Sequence, residues 1–199
     1  MPVQHMDYLS QGRRLPSAET LERIESMFEL LLLRHAKSSW AESGQDDADR
    51  PLNARGREAA RLMGRTIAAQ GMLPGRVLCS PAARTRETWE IARKELPAQP
   101  PVVVVDALYD FGDGDAVLEA IKLHGGTFSR LLVVAHNPAI QNLALRLTGT
   151  GSAKLRRRLA EKYPTAALAV LGFDVSDWSA LGQHRGQLLS FIRPRDLPA

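Results

Sequence analysis

Two histidines and two arginines stand directly after, or one turn beyond, short apolar runs. Leu30–Leu33 leads into Arg34-His35, and Val77–Cys79 leads into Ser80-Pro81, with Arg84 one helical turn further on. Leu131–Ala135 leads into His136-Asn137-Pro138. A guanidinium is a rigid fork that binds phosphate oxygens and keeps its charge at any working pH. A pair of them can neutralise the equatorial oxygens of a transferring phosphoryl group, where most of the catalysis of that reaction lies. A neutral imidazole beside them can attack phosphorus in line and become a phosphohistidine. A second imidazole, protonated, would add a charge-assisted hydrogen bond to the same oxygens. Pro138 fits the first position of a helix, whose free amides favour an anion. Ser80 is expected to cap the helix that carries Arg84.

These groups meet only if the three runs are strands that end on one edge of one sheet, where ligands bind in open α/β folds. The rest of the pattern is consistent with that. Leu30–Leu33 is apolar at every position, as in a strand buried on both faces. Asn53 can cap a helix over Ala54–Gln70, with Ala59, Leu62, Met63, Thr66 and Ile67 at helical spacing and Gly71 ending it. Pro81–Leu96 reads as a second helix, Asp115–His124 as a third ending at Gly125-Gly126, and Pro138–Leu147 as a fourth. A basic helix is expected near Gly151–Lys162. Strands are expected at Val77–Cys79, Val102–Val105, Leu131–Ala135, around Ala167–Phe173 and around Leu188–Arg193. Alternating strands and helices with short connections predict a three-layer α/β/α sandwich with a mostly parallel mixed sheet.

The string Leu33-Arg34-His35-Ala36-Lys37, then Ser80-Pro81-x-x-Arg84-x-x-x-Thr88, then Ala135-His136-Asn137-Pro138, resembles the histidine phosphatase (phosphoglycerate mutase-like) superfamily. Within it, the chain is most similar to the short SixA-type phosphohistidine phosphatases. Asp49-Arg50-Pro51-Leu52-Asn53-x-Arg55-Gly56 also resembles that branch, and the likeness runs from about Phe28 to Leu197. The resemblance implies His35 as nucleophile, Arg34 and Arg84 as ligands of the phosphoryl group, and His136 as the group completing the pocket. Lys37, Ser38 and Asn137 would line its rim, and Asp49 and Arg50 would pin the loop before the first helix. It further implies a metal-independent phosphatase without a cofactor.

The departure from the family concerns the general acid. Many members carry an acid directly after the second histidine, or a glutamate in the stretch after the second arginine. Here the first position is Asn137, and the second region offers Asp106, Asp110, Asp113 and Asp115, of which Asp110 is the candidate. An alcohol is a poor leaving group and needs a proton from a positioned acid. The imidazole of a phosphohistidine, with an ordinary pKa of about 6.5, leaves readily once its ring is protonated. A site short of an acid therefore favours a phosphorylated protein histidine. A small phosphorylated metabolite, a mutase-like reaction and a non-catalytic phospho-ligand module are the alternatives.

Other chemistries fit less well. A cysteine phosphatase loop needs five residues between cysteine and arginine in a glycine-rich cradle, whereas Cys79 and Arg84 are separated by four, none of them glycine. His5, His124 and His184 belong to no motif, and no two histidines lie within a helical turn, so no metal site is expected. There is neither a P-loop nor a GxGxxG fingerprint.

The net charge of +4 invites a nucleic-acid reading, but the segment 154–162 alone holds five bases and one acid. Removing it from totals of 26 bases and 22 acids leaves the two equal in number, so the excess is one local patch and no nucleic-acid partner is expected. No run of 18 apolar residues exists to cross a membrane. The lone cysteine fits a reducing compartment, and a cytoplasmic monomer is expected. Met1–Leu15 lacks periodicity and signal-peptide features, and Ser17–Met27 reads as a short helix capped by Ser17. Residues 1–26 are expected to be a dispensable extension of a domain spanning 27–199.

Overall fold

The structure, a computed structural model, describes residues 27–198 apart from 41–43 and 45. The extension 1–26, and with it the expected helix at 17–27 except for Met27, lies outside the described residues. Seven strands form one sheet: β1 (Phe28–Arg34), β2 (Arg76–Cys79), β3 (Val102–Val104), β4 (Arg130–Ala135), β5 (Thr148–Gly151), β6 (Leu168–Phe173) and β7 (Gly186–Ile192). Among the described residues five helices accompany them: α1 (Ala54–Ala69), α2 (Ala83–Ala92), α3 (Asp115–His124), α4 (Ala139–Leu147) and α5 (Ala153–Glu161). The strand order is β3-β2-β4-β1-β6-β7-β5. β3, β2, β4 and β1 run parallel, β6 is antiparallel to both of its neighbours, and β5 pairs parallel with β7. This is the mostly parallel mixed sheet the sequence predicts.

The two faces of the sheet are sorted by strand alternation. Leu31 and Leu33 of β1 join Val77, Leu132 and Val134 under Met63 and Ile67 of α1 and Trp89 of α2. Leu30 and Leu32 join Leu78, Leu131 and Val133 against Val117 and Ile121 of α3, Leu143 of α4 and Leu159 of α5. Helices thus cover both faces, giving the three-layer sandwich. The fully apolar run at Leu30–Leu33 follows from this, because every one of its side chains is completely buried.

Local signals placed most elements. The Asn53 side chain accepts the Gly56 amide and opens α1, and α3 has the bounds the periodicity predicts. Four details differ. The second helix begins at Ala83 and ends at Ala92, continuing as a 3-10 turn over Arg93–Glu95. Its cap position is Ala82, so Ser80 is not the N-cap. Pro138 occupies the cap position of α4 rather than its first turn. The Thr-Gly-Thr-Gly stretch of β5, with no apolar alternation to mark it, forms an edge strand through its pairing with β7.

Candidate active site

The three strands that precede the reactive residues are neighbours in the order β2-β4-β1, all parallel, so their carboxyl ends share one edge. The His35 amide donates to the Ala135 carbonyl at 3.1 Å and the Ser80 amide to the Val134 carbonyl at 3.0 Å, carrying the ladder into the site. The His35 and His136 rings consequently stand 5.2 Å apart, centre to centre. A cavity of about 270 Å³ is lined by Arg34, His35, Lys37, Ser38, Arg84 and Asn137, together with Trp40, Asp47, Arg50, Phe111 and Thr165.

His35 has a defined tautomer. Its Nδ1 lies 2.8 Å from the Ala36 carbonyl oxygen, which can only accept. Nδ1 therefore carries the proton and Nε2 keeps its lone pair. The turn that fixes this geometry is held from α1 and α2. The Ala36 amide donates to Thr88 Oγ1 at 2.9 Å, and the Asn53 amide to the Lys37 carbonyl at 3.0 Å. α1 packs so closely here that a Cβ on Gly56 would lie 2.1 Å from the Lys37 oxygen, which only glycine permits. Arg50 ties the other side, donating from Nε to the Ser39 carbonyl and from Nη2 to Ser38 Oγ, both at 3.0 Å.

Arg34 donates from Nη1 to the Tyr163 carbonyl at 2.7 Å. Arg84, on the first turn of α2 and almost fully buried, donates from Nη2 to Asp47 Oδ2 at 2.9 Å and from Nη1 to the Asp47 carbonyl. The same Asp47 carboxylate accepts from Arg50 Nη1 at 2.7 Å and from the Tyr109 hydroxyl at 2.6 Å. Tyr109 and Phe111 pack on the His136 ring at 5.2 and 5.0 Å. His136 Nε2 lies 2.8 Å from Ser80 Oγ. Among the described residues, the buried atoms His136 Nδ1, Arg34 Nε and Asn137 Oδ1 have no hydrogen-bond partner. Buried polar atoms are rarely left so, and three at one site mark a place built to bind.

Burial and crowded cations set the electrostatics. His35 is pushed down to about 4, first by burial and then by Arg34, Arg84 and Arg50, although its bond to Ala36 acts the other way. His136 is pushed down to about 3 by burial, then by His35 and Arg84. The second histidine, expected to be protonated against phosphoryl oxygens, is held toward its neutral form in the free site, because burial beside two arginines disfavours the imidazolium. The Tyr109 hydroxyl, then Arg50 and Arg84, hold the Asp47 carboxyl far below the usual carboxylate range. Burial raises the Cys79 thiol to about 12, which removes it as a nucleophile.

The structure brings together Arg34, His35, Arg84 and His136, with Lys37, Ser38 and Asn137 around them. Asp110 does not line the cavity; its Oδ1 accepts the Gly112 amide at 2.9 Å in a local turn. Arg50 pins the loop as expected. The amides at the start of α4 are not all free for an anion, because the Ile140 amide already donates to the His136 carbonyl at 2.9 Å. Sequence reasoning missed Asp47, Tyr109, Phe111 and the side-chain role of Ser80. Thr88 was visible in the motif, but its contact with the Ala36 amide was not.

The sequence profile of the Histidine phosphatase superfamily (branch 1) matches residues 30–117. An uncharacterized protein of Mycobacterium leprae is 35% identical over 167 residues, covering 82% of this chain and all of its own length. Among solved structures, the protein assigned as phosphohistidine phosphatase SixA from Nakamurella multipartitia superposes with a TM-score of 0.72 at 29% identity, covering 85% of this chain and 97% of its own. Its counterpart from Agrobacterium tumefaciens gives 0.70 at 27% identity, covering 84% and 98%.

Proposed function

The chain belongs to the histidine phosphatase superfamily and is a metal-independent phosphatase of SixA type, and from that premise we propose that it removes phosphoryl groups from phosphohistidine in proteins. The observation that carries the chemistry is the tautomer of His35. With Nδ1–H given to Ala36, the Nε2 lone pair is available in a cavity that also holds Arg34 and Arg84.

In the first half-reaction, His35 Nε2 attacks phosphorus in line. The Nε2–P bond forms as the bond from phosphorus to the substrate nitrogen breaks, the electron pair staying on that nitrogen. The substrate ring, already protonated on its other nitrogen, departs as neutral imidazole. Arg34 and Arg84 take the charge on the equatorial oxygens, Arg84 exchanging the Asp47 carboxylate for the phosphoryl group. We assign His136 as a neutral donor with its proton on Nδ1, the atom without a partner, and Nε2 accepting from the Ser80 hydroxyl 2.8 Å away. Water then attacks phosphorus, the Nε2–P bond breaks, and inorganic phosphate departs. Lys37, Ser38 and Asn137 form the rim.

The acid content of the cavity supports phosphohistidine as substrate. Among the described residues Asp47 is the one carboxylate lining it, and the Tyr109 hydroxyl, Arg50 and Arg84 leave it no proton to give near neutral pH. A leaving group that departs as an imidazole suits such a site, whereas an alcohol does not. Relatives assigned as phosphohistidine phosphatases support the same reading.

The test compares a phosphohistidine protein, an aryl phosphate and sugar phosphates as substrates. Turnover fastest on phosphohistidine, with a radiolabelled phosphoenzyme that is lost in His35→Ala, is the expected result. Preference for a sugar phosphate that disappears in Asp110→Asn would instead make Asp110 the acid and a metabolite the substrate. Tight phosphate binding without turnover would leave only a phospho-ligand module.

A further inference from the structure

A second pocket of about 280 Å³ adjoins the cavity at His35, and Lys37 and Thr165 line both. Its remaining cations come from separate parts of the chain: Arg55 from the first turn of α1, Lys162 from just after α5, and Arg193 and Arg195 from the segment after β7. Arg193 is answered by Asp196, at 2.7 and 3.0 Å, and Arg195 lies 4.0 Å from the same carboxylate. Lys37, Arg55 and Lys162 are exposed, and none of the ion pairs among the described residues includes them. Unanswered cations converging on a concavity create a field that holds an anion.

The pocket is joined to the catalytic residues by covalent chain as well as by space. Lys162 immediately precedes Tyr163, whose carbonyl holds Arg34. Lys37 is two residues from the nucleophile. A group held here is thus held at a fixed place relative to the phosphoryl group.

A third concavity, of about 490 Å³, shares Arg55, Ala59, Pro194 and Arg195 with the second and extends it along α1 past Arg61 and Arg65. Those two arginines share Glu95, at 3.7 and 3.1 Å, and Glu58 lines the same wall, so the unanswered charge is concentrated in the inner pocket. A track of this extent suits a chain rather than a small metabolite. Among the described residues no aromatic side chain lines either pocket, so none of them offers a platform on which nucleobases could stack.

We propose that the pocket of Lys37, Arg55, Lys162 and Arg195 is an anion subsite that receives acidic side chains flanking the phosphorylated residue of a protein substrate. The proposal rests on the phosphatase reading of His35 and names a feature of the substrate that this reading leaves open. Its energetic contribution is electrostatic, so it weakens as salt rises.

The experiment uses two phosphohistidine peptides that differ only in having glutamate or glutamine at the flanking positions. The wild-type protein is expected to favour the glutamate peptide about tenfold in kcat/KM, the effect of two or three partly exposed charge pairs. In Arg55→Gln/Lys162→Gln the preference is expected to vanish. The charge-matched control Lys94→Gln/Lys154→Gln, whose cations line neither pocket, is expected to retain it. Equal rates on the two peptides in the wild type, or a preference that survives Arg55→Gln/Lys162→Gln, overturns the subsite while leaving the phosphatase reading intact. Binding of an unphosphorylated, fluorescein-labelled glutamate peptide, followed by anisotropy, tests the pocket without turnover. Loss of that binding in Arg55→Gln/Lys162→Gln supports the subsite, and binding no tighter than that of the glutamine peptide, or weaker than that of an oligouridylate, overturns it. Absence of His35-dependent turnover on any phosphorylated compound overturns the phosphatase reading separately.

Discussion

Asp47 Oδ2 stands 2.9 Å from Arg84 Nη2, so a carboxylate of the chain itself occupies the guanidinium to which the proposed mechanism assigns the phosphoryl group. Arg84 is almost wholly buried, whereas the Asp47 side chain is 49% exposed and therefore displaceable. The Asp47 backbone carbonyl also accepts from Arg84, which keeps the loop anchored when the side chain is changed. Asp47→Asn is expected to strengthen inhibition by inorganic phosphate about threefold to tenfold, by removing a competing charge in a partly solvated setting. A weaker inhibition constant in the variant would show that the carboxylate positions Arg84 instead.

The two site histidines are expected to stay neutral through the range in which ordinary imidazoles titrate. The measurement is an NMR titration of labelled histidine, in which His35 shows no protonation step above about pH 5 and His136 none above about pH 4. Both pKa values are lower in the folded protein than in the unfolded chain, where about 6.5 applies. As pH falls below that value the unfolded chain binds protons that the folded site refuses. Stability is therefore full above pH 6.5 and is lost as pH falls toward 4. The slope is up to about 1.4 kcal/mol per pH unit for each histidine. Denaturant midpoints across this window are expected to fall more shallowly in His136→Gln.

Gly56→Ala is expected to destabilise the fold by about 1–3 kcal/mol, the usual range for overpacking, because its Cβ would strike the Lys37 carbonyl. The displaced segment begins two residues after His35, so kcat should fall together with the melting temperature. A variant of normal stability and activity would mean that the contact can relax freely.

Ser80→Ala leaves His136 Nε2 buried without its partner at 2.8 Å. Stability should drop by about 1–3 kcal/mol, as for a buried polar atom left unpaired. If Ser80 sets the tautomer, turnover falls as well, while Ser80→Thr, which restores the hydroxyl, recovers part of it. Recovery of stability without turnover would limit Ser80 to a structural role.

A chain starting at Met27 is expected to keep the thermal midpoint and the turnover of the longer one, since both cores are assembled from Phe28 onward among the described residues. Equal melting curves and kcat values for the two chains are the check. A loss of either would assign residues 1–26 a part in folding or in the site.

Sequence alone determined the elements with strong local signals and singled out the four residues to which the proposed chemistry is assigned. Leu30–Leu33 had to be buried on both faces because it offers no polar face, and Asn53 had to open a helix because its side chain can reach the Gly56 amide three residues on. Arg34, His35, Arg84 and His136 were legible because each follows the abrupt end of an apolar run, a signal carried within a few residues. Tertiary structure decided what no local signal encodes. Ser80 could have capped a helix, yet its hydroxyl faces His136, 56 residues away, because strand order puts β2 beside β4. Asp47 pairs with Arg84 across 37 residues, and it does so in a loop with no periodicity to mark it. The low pKa of His136 in the free site was not legible for the same reason: a pKa depends on burial and on neighbouring charges, and those neighbours are chosen by the packing of the whole sheet rather than by adjacent sequence.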